Sequence, residues 1–214
     1  MKHSVFISFE GPEGAGKTTV IKELEKRLDL QFADQLVVTR EPGGNPIAES
    51  IRNILQPKEE NGLDKRTEAL LYAAARRQHI VENIKPSLIE GKIVFSDRYI
   101  DSSLAYQGGG RELGVSNIMS INDFATEGLM PDLTLYLDLP VEIGLARINK
   151  GRKDKLDRLD KETIDFHQKT RSTYLQLAKK YHNRIQLVDA TQEIMSVVDV
   201  VESAIIQTVT RIRK

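Results

Sequence analysis

The stretch FEGPEGAGKTTV, residues 9–20, decides the fold of this chain. It fits the pattern G-x-x-x-x-G-K-[ST] at Gly11, Gly16, Lys17 and Thr18, and an apolar run at 5–9, VFISF, precedes it. Glycines allow successive backbone N–H groups to point at one place, and a helix that starts there adds the positive end of its dipole. The spacing predicts a phosphate-binding loop between a strand and a helix; a glycine-rich connecting turn is the alternative.

The loop assigns a chemical role to several of its residues. Lys17 is expected to reach the β- and γ-phosphates of a nucleotide, and the Thr18 hydroxyl is expected to ligate Mg²⁺. A second strand-like run, KIVFSDRY at 92–99, contains Asp97 at the position where such sheets place an acid that orients Mg²⁺ and its waters. The predicted metal ligands are therefore Thr18 and Asp97. The predicted ATP-binding residues are Gly11, Pro12, Glu13, Gly14, Ala15, Gly16, Lys17, Thr18 and Thr19.

Short apolar runs alternate with longer segments of helical period along the whole chain. The apolar runs are VFISF at 5–9, LVV at 36–38, IVFS at 93–96, LTLYLDL at 133–139 and IQLV at 185–188. The segments 20–28, 66–84, 141–150, 164–181 and 193–212 have the apolar spacing of helices. Regular alternation of strand and helix predicts parallel pairing through right-handed crossovers. We expect an α/β fold of the P-loop NTPase type, a five-stranded parallel sheet with helices on both faces, as one domain over 1–214.

Composition excludes several classes of function. The 214 residues include 31 basic and 31 acidic side chains, so no overall field attracts nucleic acid or an anionic membrane. Cysteine is absent and the four histidines lack metal-ligand spacing, which excludes disulfides and thiolate metal sites. The first apolar run is far shorter than the roughly 18 residues that span a bilayer and too short for a signal-peptide core. We expect a cytoplasmic protein.

A phosphate-binding loop serves GTPase switches, motor ATPases and small-molecule kinases alike, so other residues must choose among them. The nearest match to a guanine-reading N-K-x-D is NKGR at 149–152, which lacks the aspartate, and no glycine follows Asp97 at the spacing of a γ-phosphate switch. Arg98 stands beside Asp97, where a permanent planar cation suits a second phosphate group. Arg40 and Glu41 in REPGG, and Arg52 on a predicted helix, add to this anion-binding set. The pattern favours a kinase with a second anionic substrate.

The chain resembles thymidylate kinase over essentially its whole length. The motifs that carry the resemblance are FEGPEGAGKTT, TREPGG, LLYAAARRQH, SDRYIDSSLAYQGGGRELG and DRLD, in this order. The resemblance implies transfer of the γ-phosphoryl of ATP to dTMP with Mg²⁺, giving dTDP for dTTP synthesis, by an enzyme that is usually a homodimer. ATP and dTMP are then the expected partners.

The resemblance also implies roles for single residues. It assigns Arg98 and Arg52 to the phosphate of dTMP, Glu13 to the region of the deoxyribose 3′-hydroxyl, and Arg76 and Tyr72 to the thymine. Tyr72 and Arg76 are four residues apart, so one helix face would present a flat ring and a fixed donor together. The family often has phenylalanine in place of Tyr72. The dTMP-binding set is Glu13, Arg40, Arg52, Tyr72, Arg76, Arg98, Ser103, Tyr106 and Gln107, with Tyr106 crowding the place of a ribose 2′-hydroxyl.

A basic segment, RINKGRKDKLDR at 147–158, holds six lysines and arginines. Such a run is commonly a solvated loop, but a kinase must cover the phosphoryl in transfer from water, which favours a lid over about 147–160. The phosphate loop has no arginine of its own, as in the mostly bacterial members of the family that supply this arginine from the lid. Arg147 or Arg152 is the candidate. The catalytic set is Lys17, Arg98, Asp97, Glu41, Arg147 and Arg152.

Two alternatives remain open on the sequence alone. One is a kinase that acts on another nucleotide or nucleoside, which would keep the phosphate loop and change the acceptor pocket. The other is a nucleotide-dependent switch or binding module that hydrolyses ATP slowly. Only a kinase would release ADP in response to an acceptor.

Overall fold

The computed structural model of the chain describes residues 4–56, 62–151, 158–159 and 162–214. The strands are β1 (Val5–Glu10), β2 (Leu36–Arg40), β3 (Ile93–Asp97), β4 (Leu133–Asp138) and β5 (Ile185–Asp189). They form one five-stranded sheet in the order β2-β3-β1-β4-β5, and every neighbouring pair is parallel. The predicted fold class and all five predicted strands are confirmed.

Nine α-helices lie in the described residues. They are α1 (Lys17–Phe32), α2 (Pro46–Leu55), α3 (Lys65–His79), α4 (Lys85–Ile89), α5 (Ile100–Ser103), α6 (Val115–Thr126), α7 (Val141–Gly151), α8 (Ile164–Lys180) and α9 (Ile194–Arg213). Two π-helical segments, Ile80–Ile84 and Leu104–Gly110, continue α3 and α5. Within the described parts of the chain, no helix combines the length and apolar character needed to cross a membrane.

Alternation along the central strand divides the core between the two faces of the sheet. Val5, Ile7 and Phe9 join the apolar stripes of α1 and α9, including all four of the predicted stripe residues Val20, Ile21, Leu24 and Leu28. Phe6 points to the other face, where it packs with side chains of α3, α5 and α8. All six residues of β1 are buried and successive side chains point to opposite faces, as a parallel sheet covered on both faces requires.

The strand order places the loop after β1 beside the turn after β3. Phe9 is paired with Asp97 in the register of these two strands, and the Arg98 N–H donates to the Phe9 carbonyl over 2.9 Å. The connection after β1 leads to β2 on the β3 side of the sheet, whereas the connection after β3 leads to β4 on the far side of β1. A crevice therefore opens beyond the carboxyl ends of these two strands. The predicted phosphate loop and the predicted acceptor arginine therefore meet at this edge.

Residues 100–110 form a continuous helical segment that the periodicity of the sequence does not indicate. The segment IDSSLAYQGGG packs against α8, and it contains three successive glycines. A Cβ added to Gly109 would lie 2.0 Å from Thr173 Oγ1, and one added to Gly110 would lie 2.6 Å from the Phe166 ring. The glycines are needed for this close approach, so their presence here does not break the helix.

Candidate active site

A cavity of about 460 Å³ opens at the carboxyl edge of the sheet. Most of the predicted site residues line it: Glu13, Gly14, Gly16, Lys17, Thr18, Thr19, Arg40, Glu41, Arg52, Tyr72, Arg76, Asp97, Arg98, Ser103, Tyr106, Gln107 and Arg147. Gly11, Pro12 and Ala15 belong to the same loop but do not line the cavity, and Arg152 lies outside the described residues. Residues from six separate parts of the sequence thus converge on one space.

The loop over residues 11–16 turns tightly between β1 and α1. Gly14 has φ +76°, and a Cβ there would lie 2.6 Å from the carbonyl oxygen of Gly144 at the start of α7. Glycine is the residue that adopts this conformation and this approach without a clash. Helix α1 begins at Lys17, so the loop ends on free N–H groups and the positive end of the helix dipole.

Lys17 lies buried inside the loop. Its Nζ donates to the carbonyl oxygens of Gly11 and Pro12 over 2.9 and 3.0 Å. Burial and the nearby Arg98 charge lower the pKa of Lys17 to about 8, against the opposing effect of neighbouring carboxylates. An anionic phosphate in the loop would favour the ammonium form and offer it better acceptors than two carbonyls.

The two predicted metal ligands are in contact. The Thr18 hydroxyl, at the start of α1, donates to Asp97 Oδ2 at the end of β3 over 3.3 Å. Hydroxyl and carboxylate oxygens are the ligands that suit Mg²⁺, which keeps several waters and takes further oxygens from substrate phosphates. Among the described residues, no cluster of three or more histidine, cysteine, aspartate or glutamate side chains could hold a metal ion. A hydroxyl and a carboxylate together fit Mg²⁺ that a nucleotide carries on its phosphates.

Arg98 has the left-handed backbone conformation, with φ +73°, immediately after β3. Its Nη2 donates to Glu13 Oε1 over 2.8 Å, and its Nη1 donates to the Gly11 carbonyl and to Ser102 Oγ, each over 3.2 Å. The guanidinium carbon lies 5.1 Å from the centre of the Tyr106 ring. The cation is thus held in one orientation on the wall of the cavity.

Glu13 is held as a carboxylate inside the phosphate loop. Besides Arg98, the Tyr106 hydroxyl donates to both of its oxygens, over 2.8 and 2.6 Å. Burial raises the pKa of Glu13, but the charges of Arg98 and Lys17 outweigh this effect and leave the pKa below its usual value. The carboxylate therefore stays ionised and provides an acceptor for a hydroxyl group in the cavity.

Arg76 lies on α3 one turn beyond Tyr72 and is only 2% exposed. Its Nε donates to Glu41 Oε2 over 2.7 Å, and its Nη1 and Nη2 donate to Ser103 Oγ and the Tyr99 carbonyl, each over 3.0 Å. Nη1 also donates to Asn122 Oδ1, and the other oxygen of Glu41 pairs with His79 over 3.0 Å. Glu41 thus fixes the arginine expected to reach thymine, and Asn122, Tyr99 and His79 are partners that sequence reasoning missed.

Arg40 is the last residue of β2, and Arg52 lies on α2. Arg40 pairs with Glu49 over 2.6 Å, and Arg52 donates to the Pro42 carbonyl over 2.9 Å. Both side chains line the cavity, as does Tyr72.

Arg147 reaches the phosphate loop from α7. Its Nη1 donates to the carbonyls of Gly14 and Ala190 over 3.3 and 3.2 Å. Residues 147–151 of the expected lid are helical, whereas 152–157 and 160–161 lie outside the described residues.

Two fully buried carboxylates beside the cavity escaped the sequence analysis. Glu10 ends β1, directly before the loop. Glu68 lies on α3 one turn before Tyr72, where it accepts from Gln107 over 2.6 Å and pairs with Arg111 and Arg158. The helical spacing to Tyr72 is the signal that could have indicated Glu68. Only the fold reveals the partners of Glu10.

The chain is similar to known proteins in both sequence and fold. The sequence model of a protein family described as thymidylate kinase matches residues 9–201. A thymidylate kinase of Leuconostoc mesenteroides is 66% identical over 199 residues, which is 93% of each chain, and one of Leuconostoc citreum is 61% identical over 198 residues, 92% of each chain. The crystal structure of thymidylate kinase from Ehrlichia chaffeensis superposes with a TM-score of 0.77 at 34% identity, over 95% of this chain and 98% of that one.

Proposed function

Because the chain belongs to the thymidylate kinase family, it phosphorylates dTMP to dTDP with ATP as donor, and we propose that both nucleotides lie end to end in the cavity of about 460 Å³. One observation carries this placement. One cavity is lined both by the phosphate loop with Lys17 and by Arg98, Tyr72 and Arg76. Phosphoryl transfer needs such an in-line arrangement more than it needs covalent catalysis.

The donor end is formed by the loop over residues 11–19. Its N–H groups and Lys17 hold the ATP phosphates, with Thr18 and Asp97 as the ligands of Mg²⁺ directly or through waters. When bound, Mg²⁺ neutralises charge on the phosphates as the phosphoryl group moves. The contact between Thr18 and Asp97 over 3.3 Å supports this assignment.

The acceptor end takes dTMP. Arg98 and Arg52 bind its phosphate, Tyr72 stacks on thymine, and Arg76 donates to the base from the orientation that Glu41 fixes. Arg40, Ser103 and Gln107 complete the pocket. Glu13 accepts from the sugar 3′-hydroxyl, and Tyr106, held against Glu13, occupies the space that a ribose 2′-hydroxyl would need.

In the reaction, an oxygen of the dTMP phosphate forms a bond to the γ-phosphorus as the bond to the oxygen that stays with ADP breaks. The acceptor phosphate is anionic at neutral pH, so no side chain has to remove a proton. Lys17 and an arginine of the lid compensate the charge of the migrating group, and Arg98 offsets the repulsion between the two substrates. Arg147 is the described candidate for that arginine; Arg152 is the other.

We also propose a cytoplasmic homodimer. The cytoplasmic location follows from the nucleotide substrates. For the dimer, α3 and α6 pack side by side and expose large apolar side chains, with Leu70 55% and Phe124 90% exposed. A second copy covering this surface would remove apolar area from water. Sedimentation velocity of the wild type should give twice the mass of the chain, and Phe124→Asp should shift it towards the monomer; a monomeric wild type would refute the dimer.

A coupled assay of ADP release, run with different acceptors, tests the acceptor assignment. We expect turnover with dTMP and slower turnover with dUMP, by about 10- to 200-fold in kcat/KM, because one methyl group in an apolar pocket discriminates to that extent. UMP, dCMP and thymidine should be poorer still. ADP release that is the same with and without an acceptor would instead indicate an ATPase, and a faster reaction with another monophosphate would reassign the pocket.

A further inference from the structure

Glu10 is a buried carboxylate for which the proposed reaction has no use. It is the last residue of β1, directly before Gly11 of the phosphate loop, and its side chain is fully buried. A carboxylate in such a place is costly unless its surroundings satisfy it. The hydrogen-bond partners of Glu10 therefore indicate what role the carboxylate has.

All the hydrogen-bonding partners that surround Glu10 are donors. Oε1 accepts from the Tyr99 N–H over 2.7 Å, and Oε2 accepts from the hydroxyls of Ser102 and Tyr174 over 2.5 and 2.9 Å. The Tyr99 N–H has no alternative role, because a peptide nitrogen cannot accept. This arrangement suits an ionised carboxylate, which only accepts.

These contacts lead to Arg98 by two routes. Along the backbone, Tyr99 follows Arg98, whose φ of +73° is unfavourable for a residue with a Cβ and persists only where neighbouring contacts fix it. Two hydrogen bonds hold the peptide group that joins Arg98 to Tyr99. Its N–H donates to Glu10, and its carbonyl oxygen accepts from Ser96 Oγ over 2.7 Å. Through side chains, Ser102 gives its proton to Glu10 and can therefore accept from Arg98 Nη1 over 3.2 Å.

We propose that Glu10, as a carboxylate, is a positioning residue for the acceptor phosphate. It holds the Tyr99 peptide and the Ser102 hydroxyl, and through them it aims the Arg98 guanidinium at the phosphate of dTMP. The inference rests on the proposed binding of that phosphate by Arg98. Glu10 itself touches neither substrate.

The charges that face Glu10 make its action depend on pH. Burial and the like charge of Asp101 raise the pKa of Glu10 to about 7, although the bonds from Ser102 and Tyr174 and the charge of Arg98 lower it. Lys17 and Arg184 also lie within electrostatic reach. As the pH falls through about 7, Glu10 gains a proton. Its carboxyl oxygens already accept hydrogen bonds from Tyr99, Ser102 and Tyr174, so the added proton forces the bonds that lead to Arg98 to rearrange. Affinity for dTMP should then fall.

Glu10→Gln tests the inference, because it keeps the shape of the side chain and removes its charge. Calorimetric titration should give a Kd for dTMP about tenfold above wild type at pH 8.5, the loss expected for a bond to a charged group. The Kd for thymidine and the KM for ATP should not change, since neither involves the acceptor phosphate. The ratio of variant to wild-type Kd should approach one near pH 6, where wild-type Glu10 is itself protonated. The second ionisation of dTMP, near pKa 6, affects both proteins equally and cancels in this ratio.

Tyr174→Phe is the matched control, because it removes one donor and leaves the carboxylate, Tyr99 and Ser102 in place; at pH 8.5, above the pKa of Glu10, its Kd for dTMP should stay close to wild type. Thermal unfolding checks that each variant is folded. If Glu10→Gln does not fold, Ser102→Ala breaks the side-chain route at its other end and should raise the Kd for dTMP in the same direction.

Three results would overturn the inference. The first is a folded Glu10→Gln with wild-type affinity for dTMP at every pH. The second is an equal loss of affinity for thymidine, which would mean a general effect on the pocket. The third, where Glu10→Gln does not fold, is a Ser102→Ala variant with unchanged affinity for dTMP. Arg98→Ala distinguishes a failure of the inference about Glu10 from a failure of the proposed acceptor site. If it abolishes dTMP binding while Glu10→Gln does not weaken it, only the role of Glu10 fails; if Arg98→Ala binds dTMP normally, the proposed acceptor site itself fails.

Discussion

Arg98 and Glu13 form an ion pair of 2.8 Å that joins the turn after β3 to the phosphate loop after β1. Both side chains are mostly buried, and Tyr106 holds the same carboxylate from the other side. The pair sets the distance between the cation proposed for the dTMP phosphate and the acceptor proposed for the sugar hydroxyl. These contacts fix two side chains of the proposed acceptor site, which reduces the ordering that binding of dTMP would require.

Lys17→Ala should nearly abolish turnover. The ammonium group is the cation within the phosphate loop, and without it the charge that develops on the transferred phosphoryl lacks its main partner from the loop. Steady-state kcat with saturating ATP and dTMP measures the effect. Lys22→Ala, on the exposed side of the same helix, is the matched control and should behave like wild type. Comparable activity in the two variants would contradict the proposed chemistry.

Arg147→Ala should lower kcat by roughly 10³-fold or more if this residue supplies the arginine of the lid, by analogy with the loss of an arginine finger. Its contact with the Gly14 carbonyl shows that it reaches the loop. The control is Arg171→Ala. Arg171 lies on the neighbouring helix α8 and pairs with Asp138 at the end of β4, so its removal should have little effect on kcat. A change confined to the KM for ATP would argue against this role and leave Arg152 as the candidate.

Tyr106→Ala should relax the discrimination between dTMP and its ribonucleotide counterpart, because the ring no longer fills the place of the 2′-hydroxyl. Tyr106→Phe keeps the ring and removes only the donor to Glu13, so it should retain the discrimination. The ratio of kcat/KM for the two acceptors is the measurement. The alanine variant should also unfold more easily, by about 3–5 kcal/mol for a buried aromatic residue, so activity is compared well below its unfolding temperature. Unchanged discrimination in Tyr106→Ala would exclude a steric role.

Glu41→Ala should destabilise the fold as well as the site. It leaves Arg76, 2% exposed, without its counter-charge, and breaking one partner of a buried pair typically costs about 3–5 kcal/mol. Urea unfolding gives the change in free energy. Glu202→Ala removes a partly exposed partner of Arg27 and should cost less than about 1 kcal/mol. Similar losses in the two variants would mean that the buried pair contributes no more than the surface one.

Local patterns in the sequence were sufficient for the sheet and the loop. Each strand was visible as an apolar run, and the stripe from Val20 to Leu28 showed which face of α1 is buried. The phosphate loop needs glycines, a lysine and a threonine at fixed spacing, so a short stretch of sequence is enough to indicate its function. The sequence also indicated Arg98 as a cation for a second phosphate group, whereas the assignment of Tyr72 and Arg76 to thymine came from resemblance, since nothing local connects Tyr72 with Arg98.

Long-range packing explains what the sequence did not indicate. The helical turn over 100–110 forms because Gly109 and Gly110 let it approach α8, and the three glycines taken alone are typical of a loop. Glu10 and Glu68 are charged residues whose partners are far away in the chain; Tyr174, which donates to Glu10, is 164 residues distant. Burial of such groups becomes evident only when the strands and helices are assembled.

The most direct test of the central claim is a crystal structure of the protein with dTMP and a non-hydrolysable ATP analogue bound together. We predict the triphosphate in the loop at Lys17, the dTMP phosphate on Arg98 facing the γ-phosphate, and thymine against Tyr72 and Arg76. A dTMP molecule bound away from Arg98 and Tyr72, with the loop occupied, would contradict the end-to-end arrangement.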